Sequence, residues 1–600
     1  MKFKRLPQVI VLATVGTLCA CAGPLPERAA HKDEAIYSAT IDGVKKDNLT
    51  WKDSYDAVIA KTKSTSGAVR NEYLHQAEDI LMSTGAIAPI YYYTDIFMEN
   101  EKMSGFYSSP LGYKFFHKAL VDGADEYTVC VGPKGDSFDP AKNSAVDGAI
   151  VISHVFEGLY RWKQPEAGDV AADLEPAQAA SYEKTQPDAD GHVKYTFKLR
   201  DGIKYSDGSA LKASDFANSW ARAASGKLAA DYGYMFDCVV GYDETAADEE
   251  NYKPLSGVKA DDEKGELEVE LISDVPYFLE LTAFPTYAPV KLANVQKADG
   301  SEDDAWWLDV EKYVGNGPLK VAKMDNKEGG SIEFVPNANY WDNANTKVKK
   351  LTFALSDNDT NILANYQSGA YKFIDSVPNE QIDTLSKGKD YHVNGQLGTY
   401  YVIFNVNDKT LNRFLTNETQ YASFRKALSL LIDRNYVCKN IGKAGQEPAN
   451  TFVGKGIMEK NEDGSLSEWT TKSGPKRDGA GYFKVGKDDY AANCAEAVEM
   501  LKELGFKYDG KKFTNIPTIK YLYNNGSGHK AIAEYLQSAF KAFGIKLKLE
   551  SQEWAVFLNT RKDGNYSIAR NGWLADYNDA CSFLDMWTTG SGNNDAQFGR

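Results

Sequence analysis

From residue 124 onward the chain is written in short runs of alternating apolar and polar positions, closed by Gly, Asn, Asp or Pro. They are EYTVCVG (126–132), KYTFKLRDGIKYSDGS (194–209), ELEVELI (266–272), GPLKVAKM (317–324), SIEFVPNANYWD (331–342) and KKLTFALSD (349–357). A period of two puts every second side chain on one face of a pleat, so these runs predict half-buried strands. The period changes to 3.6 in ASDFANSWARAAS (213–225) and ASFRKALSLLIDRNYV (422–437), which predict helices. Near the end, Ile532, Leu536 and Phe540 keep helical spacing up to a stop at Gly544. The alternation of IKLKLE, a further helix and a strand reaching Trp573 follow, which together make a βαβ-type unit. The chain is mixed α/β.

Composition narrows the function more than the fold. With 600 residues, 43% hydrophobic and 12% aromatic, the chain can bury large cores, and its length suggests about two to four domains or lobes. A net charge of −16 argues against phosphate backbones and anionic lipid surfaces as partners, because both repel a uniformly acidic protein. Nucleic acid is therefore not expected. The 36 Tyr and 10 Trp supply amphipathic surface of the kind that lines clefts, although most rings in any protein fill cores.

The first 21 residues, MKFKRLPQVIVLATVGTLCAC, place Lys2, Lys4 and Arg5 ahead of a short apolar run and Leu18-Cys19-Ala20-Cys21. That order reads as an export signal, too short to span a bilayer. The small residue before Cys21 and Leu three places earlier look like a bacterial lipobox, implying cleavage before Cys21 and diacylglycerol on its sulfur. The alternative is ordinary signal-peptidase cleavage with a coincidental cysteine. No other stretch reaches the ~18 apolar residues of a spanning helix, so the mature chain is expected to be tethered by lipid at the cell envelope, on the outer face of the cytoplasmic membrane or in the periplasm. The remaining cysteines, Cys130, Cys238, Cys438, Cys494 and Cys581, are odd in number and lack C-x-x-C spacing. No metal is expected, and spacing does not choose a disulfide among the last three.

No catalytic signature is present: H-E-x-x-H, G-x-S-x-G and a phosphate loop are absent, and the seven His are scattered. An enzyme is not expected, nor a cofactor, although a carboxylate-only site could hide among 84 acidic residues.

Six segments occur in a recognisable order: SHVFEGLYRW (153–162), YTFKLRDGIKYSDGSALKASDFANSW (195–220), VGNGPLKV (314–321), NANYWDNANTKVKKLTF (337–353), FRKALSLLIDR (424–434) and QEWAVFLNTRKDGNYSIARNGWLADYND (552–579). In this order the chain resembles the extracytoplasmic oligopeptide-binding proteins of ABC importers, the peptide and nickel class of solute-binding proteins. The family's closing segments sit here at the front, in SYDAVIAKTKSTSGAVRNEYLHQAEDILMSTGAIAPIYYYTD (54–95) and SGFYSSPLGYKFF (104–116). The resemblance therefore implies a circular permutant, in which the loop after Phe598 lies close to Trp51. The alternative is a truncated chain with an unrelated extension.

The resemblance implies a two-lobed periplasmic-binding-protein-like α/β fold with a hinge and an interlobe cleft. The expected boundaries are a signal peptide at 1–21, a permuted segment at 22–95 joining the second lobe, a first lobe at 96–354 and the second lobe at 355–600, with hinges near Tyr93 and Phe353. It also implies capture of an oligopeptide as an added strand, through the backbone of Ser144-Ala145-Val146 on one side and Gly572-Trp573-Leu574 on the other. Asp576 would hold the α-ammonium, Arg561 and Arg570 the carboxylate, and Trp554 and Trp573 the side-chain pockets. Read alone, Asp576 is a turn or cap residue, each Arg a structural ion pair and each Trp a core ring. Ala580 stands where the family has Pro, Leu574 where some relatives have Cys, and Tyr205 where Trp is common. The expected partners are the peptide, an ABC permease with its ATPase and the membrane through the lipid, with the chain a monomer. Two alternatives stay open: a same-fold receptor for a nickel chelate or glycan, and a peptide-sensing or adhesion lipoprotein without transport. The acidic composition also leaves open a preference for basic peptides.

Overall fold

The computed structural model describes residues 29–166 and 170–600, so the expected leader at 1–21 and the expected lipid site at Cys21 lie outside the described residues. Its largest sheet has eleven strands drawn from nearly the whole chain. Across the sheet they run Leu319–Asp325, Ser331–Pro336, Lys350–Leu355, Glu126–Gly132, Phe373–Ile374, Ile87–Glu99, Tyr391–Phe404, Ile568–Leu574, Ile519–Asn524 and Leu547–Gln552, with Glu447–Pro448 beside Ile87–Glu99. A separate antiparallel sheet orders Ala179–Lys184, Val193–Leu199, Glu266–Leu271 and Val258–Asp261. In it the alternation becomes burial: Val193, Tyr195, Phe197 and Leu199 all point into the core. The expected helix forms as Ala213–Ala224, with Phe216, Trp220 and Ala223 buried and the Asp215 carboxylate accepting the Lys212 backbone N–H at its start (2.9 Å).

The second expected helix is interrupted. It runs Glu418–Leu430, and a separate turn begins at Arg434 after Asp433 accepts the Tyr436 N–H (3.0 Å). The apolar period passes through the break because Leu431 and Ile432 stay buried. The βαβ-type unit appears with helices Ser527–Ala542 and Trp554–Lys562. Ile519–Asn524 lies parallel to both Leu547–Gln552 and Ile568–Leu574.

Two strands are long enough to cross from one end of the large sheet to the other, Ile87–Glu99 and Tyr391–Phe404, paired antiparallel. Their register slips between the pairs Thr399↔Tyr92 and Gly395↔Thr94, leaving Gln396–Gly398 out of the ladder opposite Tyr93. A bulge of this kind bends and twists a ribbon, and it lies opposite Tyr93, near which a hinge is expected. Phe353 is fully buried inside Lys350–Leu355, paired with Ile332 on one side and Val129 on the other. The chain after 355 stays beside these strands, since Ile374 pairs with Cys130 and Ile362 and Leu363 pack on Met98. It is also tied to the far half, where Asp359 accepts from the Ser527 hydroxyl (2.6 Å) and the Asn379 N–H donates to Ser527 Oγ (3.0 Å), before Tyr391–Phe404 joins the two halves.

The segment ahead of residue 124 is built into this core. Helices Ala57–Lys63 and Gly67–Ser83 lead into Ile87–Glu99 at the middle of the sheet. Trp51 lies between the rings of Tyr55 (4.4 Å) and Phe598 (4.2 Å) and donates its indole N–H to the Trp587 carbonyl (3.0 Å). The closeness expected between the loop after Phe598 and Trp51 is thus observed. Cys130, Cys238, Cys438, Cys494 and Cys581 are all free thiols, and no described helix is long and apolar enough to cross a membrane.

A candidate ligand cleft beside a half-paired strand

Three pieces of backbone enclose a cavity of about 270 Å³. The helix Trp554–Lys562 presents Trp554, Leu558 and Arg561, whose spacing puts them on one helical face. The strand Ile568–Leu574 and the loop beyond it present Arg570 through Asp576. Opposite, Ser144 and Ala145 lead in extended conformation into the helix Val146–Val155. All ten expected binding residues, Ser144, Ala145, Val146, Trp554, Arg561, Arg570, Gly572, Trp573, Leu574 and Asp576, line this one space.

The strand Ile568–Leu574 is paired along its full length with Tyr391–Phe404, from Phe404↔Ile568 to Gly398↔Leu574. Its other edge meets Ile519–Asn524 only at Ile568 and Ala569. Among the described residues no strand lies beside that edge from Arg570 to Leu574, where Arg570, Gly572, Trp573 and Leu574 line the cavity and the Gly572 N–H is held by Asn571 Oδ1 (2.8 Å). Gly572 is required by close approach: a Cβ there would collide with the Tyr93 hydroxyl.

Charge is distributed unevenly around the space. Asp576 is only 9% exposed, and its oxygens accept from neutral hydroxyls alone, Tyr232 (3.0 Å) and Ser582 (3.3 Å). Burial therefore holds its pKa well above the usual carboxylate range, with a smaller push from nearby Asp585. A buried carboxylate without a cation is a site waiting for one. Asp147, at the other end, is pushed up to about 6 by burial and accepts the Trp554 indole N–H (3.4 Å) on Oδ1.

The two arginines differ. Arg561 lies 2.6 Å from Asp595, both nearly out of solvent, so its charge is already balanced. Arg570 is 8% exposed, makes no ion pair among the described residues, and is held over the rings of Tyr400, Trp554 and Phe557 at 5.4, 5.8 and 5.9 Å. It is the guanidinium with capacity for an anion. Trp573 fixes its indole N–H on the Ser582 carbonyl (2.8 Å) and presents its ring as wall.

Several lining residues were not singled out in the sequence. Tyr232 reaches Asp576 from a loop 344 positions away. Lys562 donates to Ser144 (2.8 Å) and pairs with Asp231, joining the two sides of the cleft. Tyr113, Phe284 and Asn593 complete the wall. Apart from Lys562, none carries a local signal, since each acquires its place only through long-range packing. Lys562 alone could have been suspected, because it adjoins Arg561 in the segment that carried the resemblance.

The sequence model for the bacterial extracellular solute-binding proteins, family 5, matches residues 173–595. The chain is 31% identical over 461 residues to the oligopeptide-binding protein OppA of Bacillus subtilis (strain 168), covering 75% of each chain. It is 30% identical over 493 residues to the periplasmic oligopeptide-binding protein OppA of Salmonella typhimurium, covering 80% of each. Among solved structures, Haemophilus influenzae OppA in complex with RPPGFSPFR superposes with a TM-score of 0.65 at 28% identity, over 79% of this chain and 85% of that one. The Escherichia coli murein tripeptide binding protein MppA gives 0.64 at 25% identity, over 79% and 84%. These relatives are named for binding, not for catalysis.

Proposed function

The chain belongs to family 5 of the bacterial extracellular solute-binding proteins and has their two-lobed α/β fold, and from that premise we propose that it captures oligopeptides in the cleft around Asp576 and delivers them to an ABC permease. The observation that carries this reading is the half-paired strand: the edge of Arg570–Leu574 bordering the cavity has no partner strand among the described residues. An extended peptide laid there would be recognised through its main chain whatever its side chains, with specificity left to its ends. Asp576 would then take the α-ammonium and Arg570 the α-carboxylate. Arg561, neutralised by Asp595, serves to position the helix that carries Trp554. The oligopeptide-binding names of relatives aligned over three quarters of the chain agree, as does the peptide held by the Haemophilus influenzae relative.

The test is calorimetric titration of the chain, freed of bound peptide by partial unfolding, with a mixed pool of tripeptides to pentapeptides and with the same pool N-acetylated. Binding that acetylation abolishes is expected. Absence of binding to both pools would overturn the peptide reading and move the ligand to the non-peptide solutes.

Three finer statements belong to the same proposal. Anchoring by diacylglycerol on Cys21 rests on the LCAC motif; a Cys21→Ala chain that still sediments with membranes would exclude it. Action as a monomer is supported by a cleft whose lining comes from one chain. Circular permutation is supported by the way the segment before residue 124 shares a core with the segment after 568, through Trp51 on Phe598 and through Ile87–Glu99 at the centre of the sheet.

A further inference from the structure

A second cavity, of about 330 Å³, adjoins the cleft. It shares Asp147, Trp554 and Arg570 with the first, whereas Asp576 borders only the first, so it lies at the Arg570 end. Its wall carries four carboxylates, Asp147, Asp357, Asp359 and Asp375. The cations facing them are few. Lys114 binds Asp375 at 3.1 Å but is equally engaged by Asp95 at 3.0 Å, so one ammonium serves two carboxylates. His529, also on the wall, is driven toward its neutral form by burial and by Arg570. Arg570 is the remaining positive group on the wall, and it has no carboxylate of its own in ion-pair range.

Charge alone would not make this a site, but the cavity also holds unfilled acceptors. Asp147 Oδ2 and Asn524 Oδ1 are buried and receive no hydrogen bond. Asn524 is 8% exposed, and its amide nitrogen already donates to the Asn525 carbonyl (3.0 Å), which leaves its oxygen as the open atom. Asp359 differs, being satisfied by Ser376 (2.5 Å) and by the Ser527 hydroxyl (2.6 Å), and contributes charge only. The cavity thus offers buried acceptors and negative potential next to a buried guanidinium that lacks an anion. Buried acceptors of this kind call for a donor, and a cationic donor satisfies both demands.

We propose that this cavity takes the side chain of a C-terminal lysine or arginine, whose α-carboxylate rests on Arg570. The two opposite charges of one residue meet the two opposite features of the wall. An apolar side chain would leave Asp147 Oδ2 and Asn524 Oδ1 unfilled, and an acidic one would face four carboxylates, so the same pocket rejects as well as selects. This inference rests on the peptide reading of the cleft given above.

The test is competition calorimetry on the full chain with Ala-Ala-Lys, Ala-Ala-norleucine, Ala-Ala-Glu and Lys-Ala-Ala, together with the tetrapeptides extended by one N-terminal alanine. C-terminal Lys is expected to bind about tenfold or more tighter than norleucine, which has the same carbon chain without the charge. Ala-Ala-Glu is expected to bind weakest, and Lys-Ala-Ala to show no such gain. In Asp147→Asn and Asp357→Asn chains the ratio of Lys to norleucine affinity should move toward one. Equal affinity for the Lys and norleucine peptides in the unaltered chain would overturn the pocket assignment while leaving peptide capture standing. Failure of every peptide to bind would overturn the peptide reading and the pocket with it.

Discussion

At the scale of single residues the most informative group is Asp576, because its two described side-chain partners are hydroxyls. Burial raises its pKa, whereas a bound α-ammonium would favour the anion. At pH below that raised pKa, binding of an α-ammonium is therefore expected to release a proton. The affinity for peptides with a free amino end should fall as pH drops through the raised pKa, and titration in buffers of different ionisation enthalpy should count the proton. Asp576→Asn should abolish that release and weaken free-amine peptides by about 10- to 100-fold, the range of a hydrogen bond to a charged partner. Release unchanged in the variant would assign the proton elsewhere. The ten cleft residues were reached through the family resemblance, which is carried by motifs such as the 552–579 segment. What separates Arg561 from Arg570 could not be reached that way, since both look alike until Asp595, from another loop, is brought to 2.6 Å of one of them.

At the scale of elements, the cleft depends on a strand left incomplete. Ile519–Asn524 accompanies Ile568–Leu574 for only two residues, and the chain beyond Leu574 turns into the loop that carries Asp576, so the edge opens where recognition is proposed. Gly572 keeps that edge close to Tyr93. Gly572→Ala should force the Tyr93 ring or the strand to move and weaken peptide binding about tenfold or more, by the logic that a displaced main chain loses paired hydrogen bonds. Adding Tyr93→Phe, which removes the colliding oxygen, should restore part of the loss. If the double variant binds no better than the single one, the collision is not the cause. The strands that alternate cleanly, such as Glu126–Gly132 and Glu266–Leu271, were legible from their period. The two crossing strands were not. Ile87–Glu99 is buried on both faces in its first half, and Tyr391–Phe404 begins with the polar, glycine-containing YHVNGQLG, so neither shows a period of two.

At the scale of the whole molecule, the segment before residue 124 and the segment after 568 behave as one body. Lys63 lies between Asp237 (3.3 Å) and Asp585 (3.6 Å), and Arg70 forks onto both oxygens of Asp579 (2.8 and 2.9 Å). Tyr577 stacks on Tyr277 at 4.0 Å, so the same seam also reaches the loops around residue 277. Gly599 donates its N–H to His31 Nδ1 at 3.1 Å, which brings residues 600 and 30 within reach of a short linker. Asp122 and Gly123 form an exposed turn with positive φ, bounded by the hydrogen bonds between Val121 and Ala124, where the backbone can be opened with little loss of packing. If the order of segments is a permutation of the family's, a chain joined from Arg600 to Ala30 through a few Gly and Ser residues and opened before Ala124 should fold. Its melting temperature should stay within about 5 °C of the parent's, since only one loop closure is exchanged for another. Its peptide affinity should be unchanged within about threefold, because neither new end touches the cleft. A rearranged chain that folds but fails to bind would mean that the connection at 123–124 sets the approach of Ser144–Val146 to the half-paired strand. A chain that fails to fold would show the native order to be a requirement of this core, and the permutation reading would fall with it.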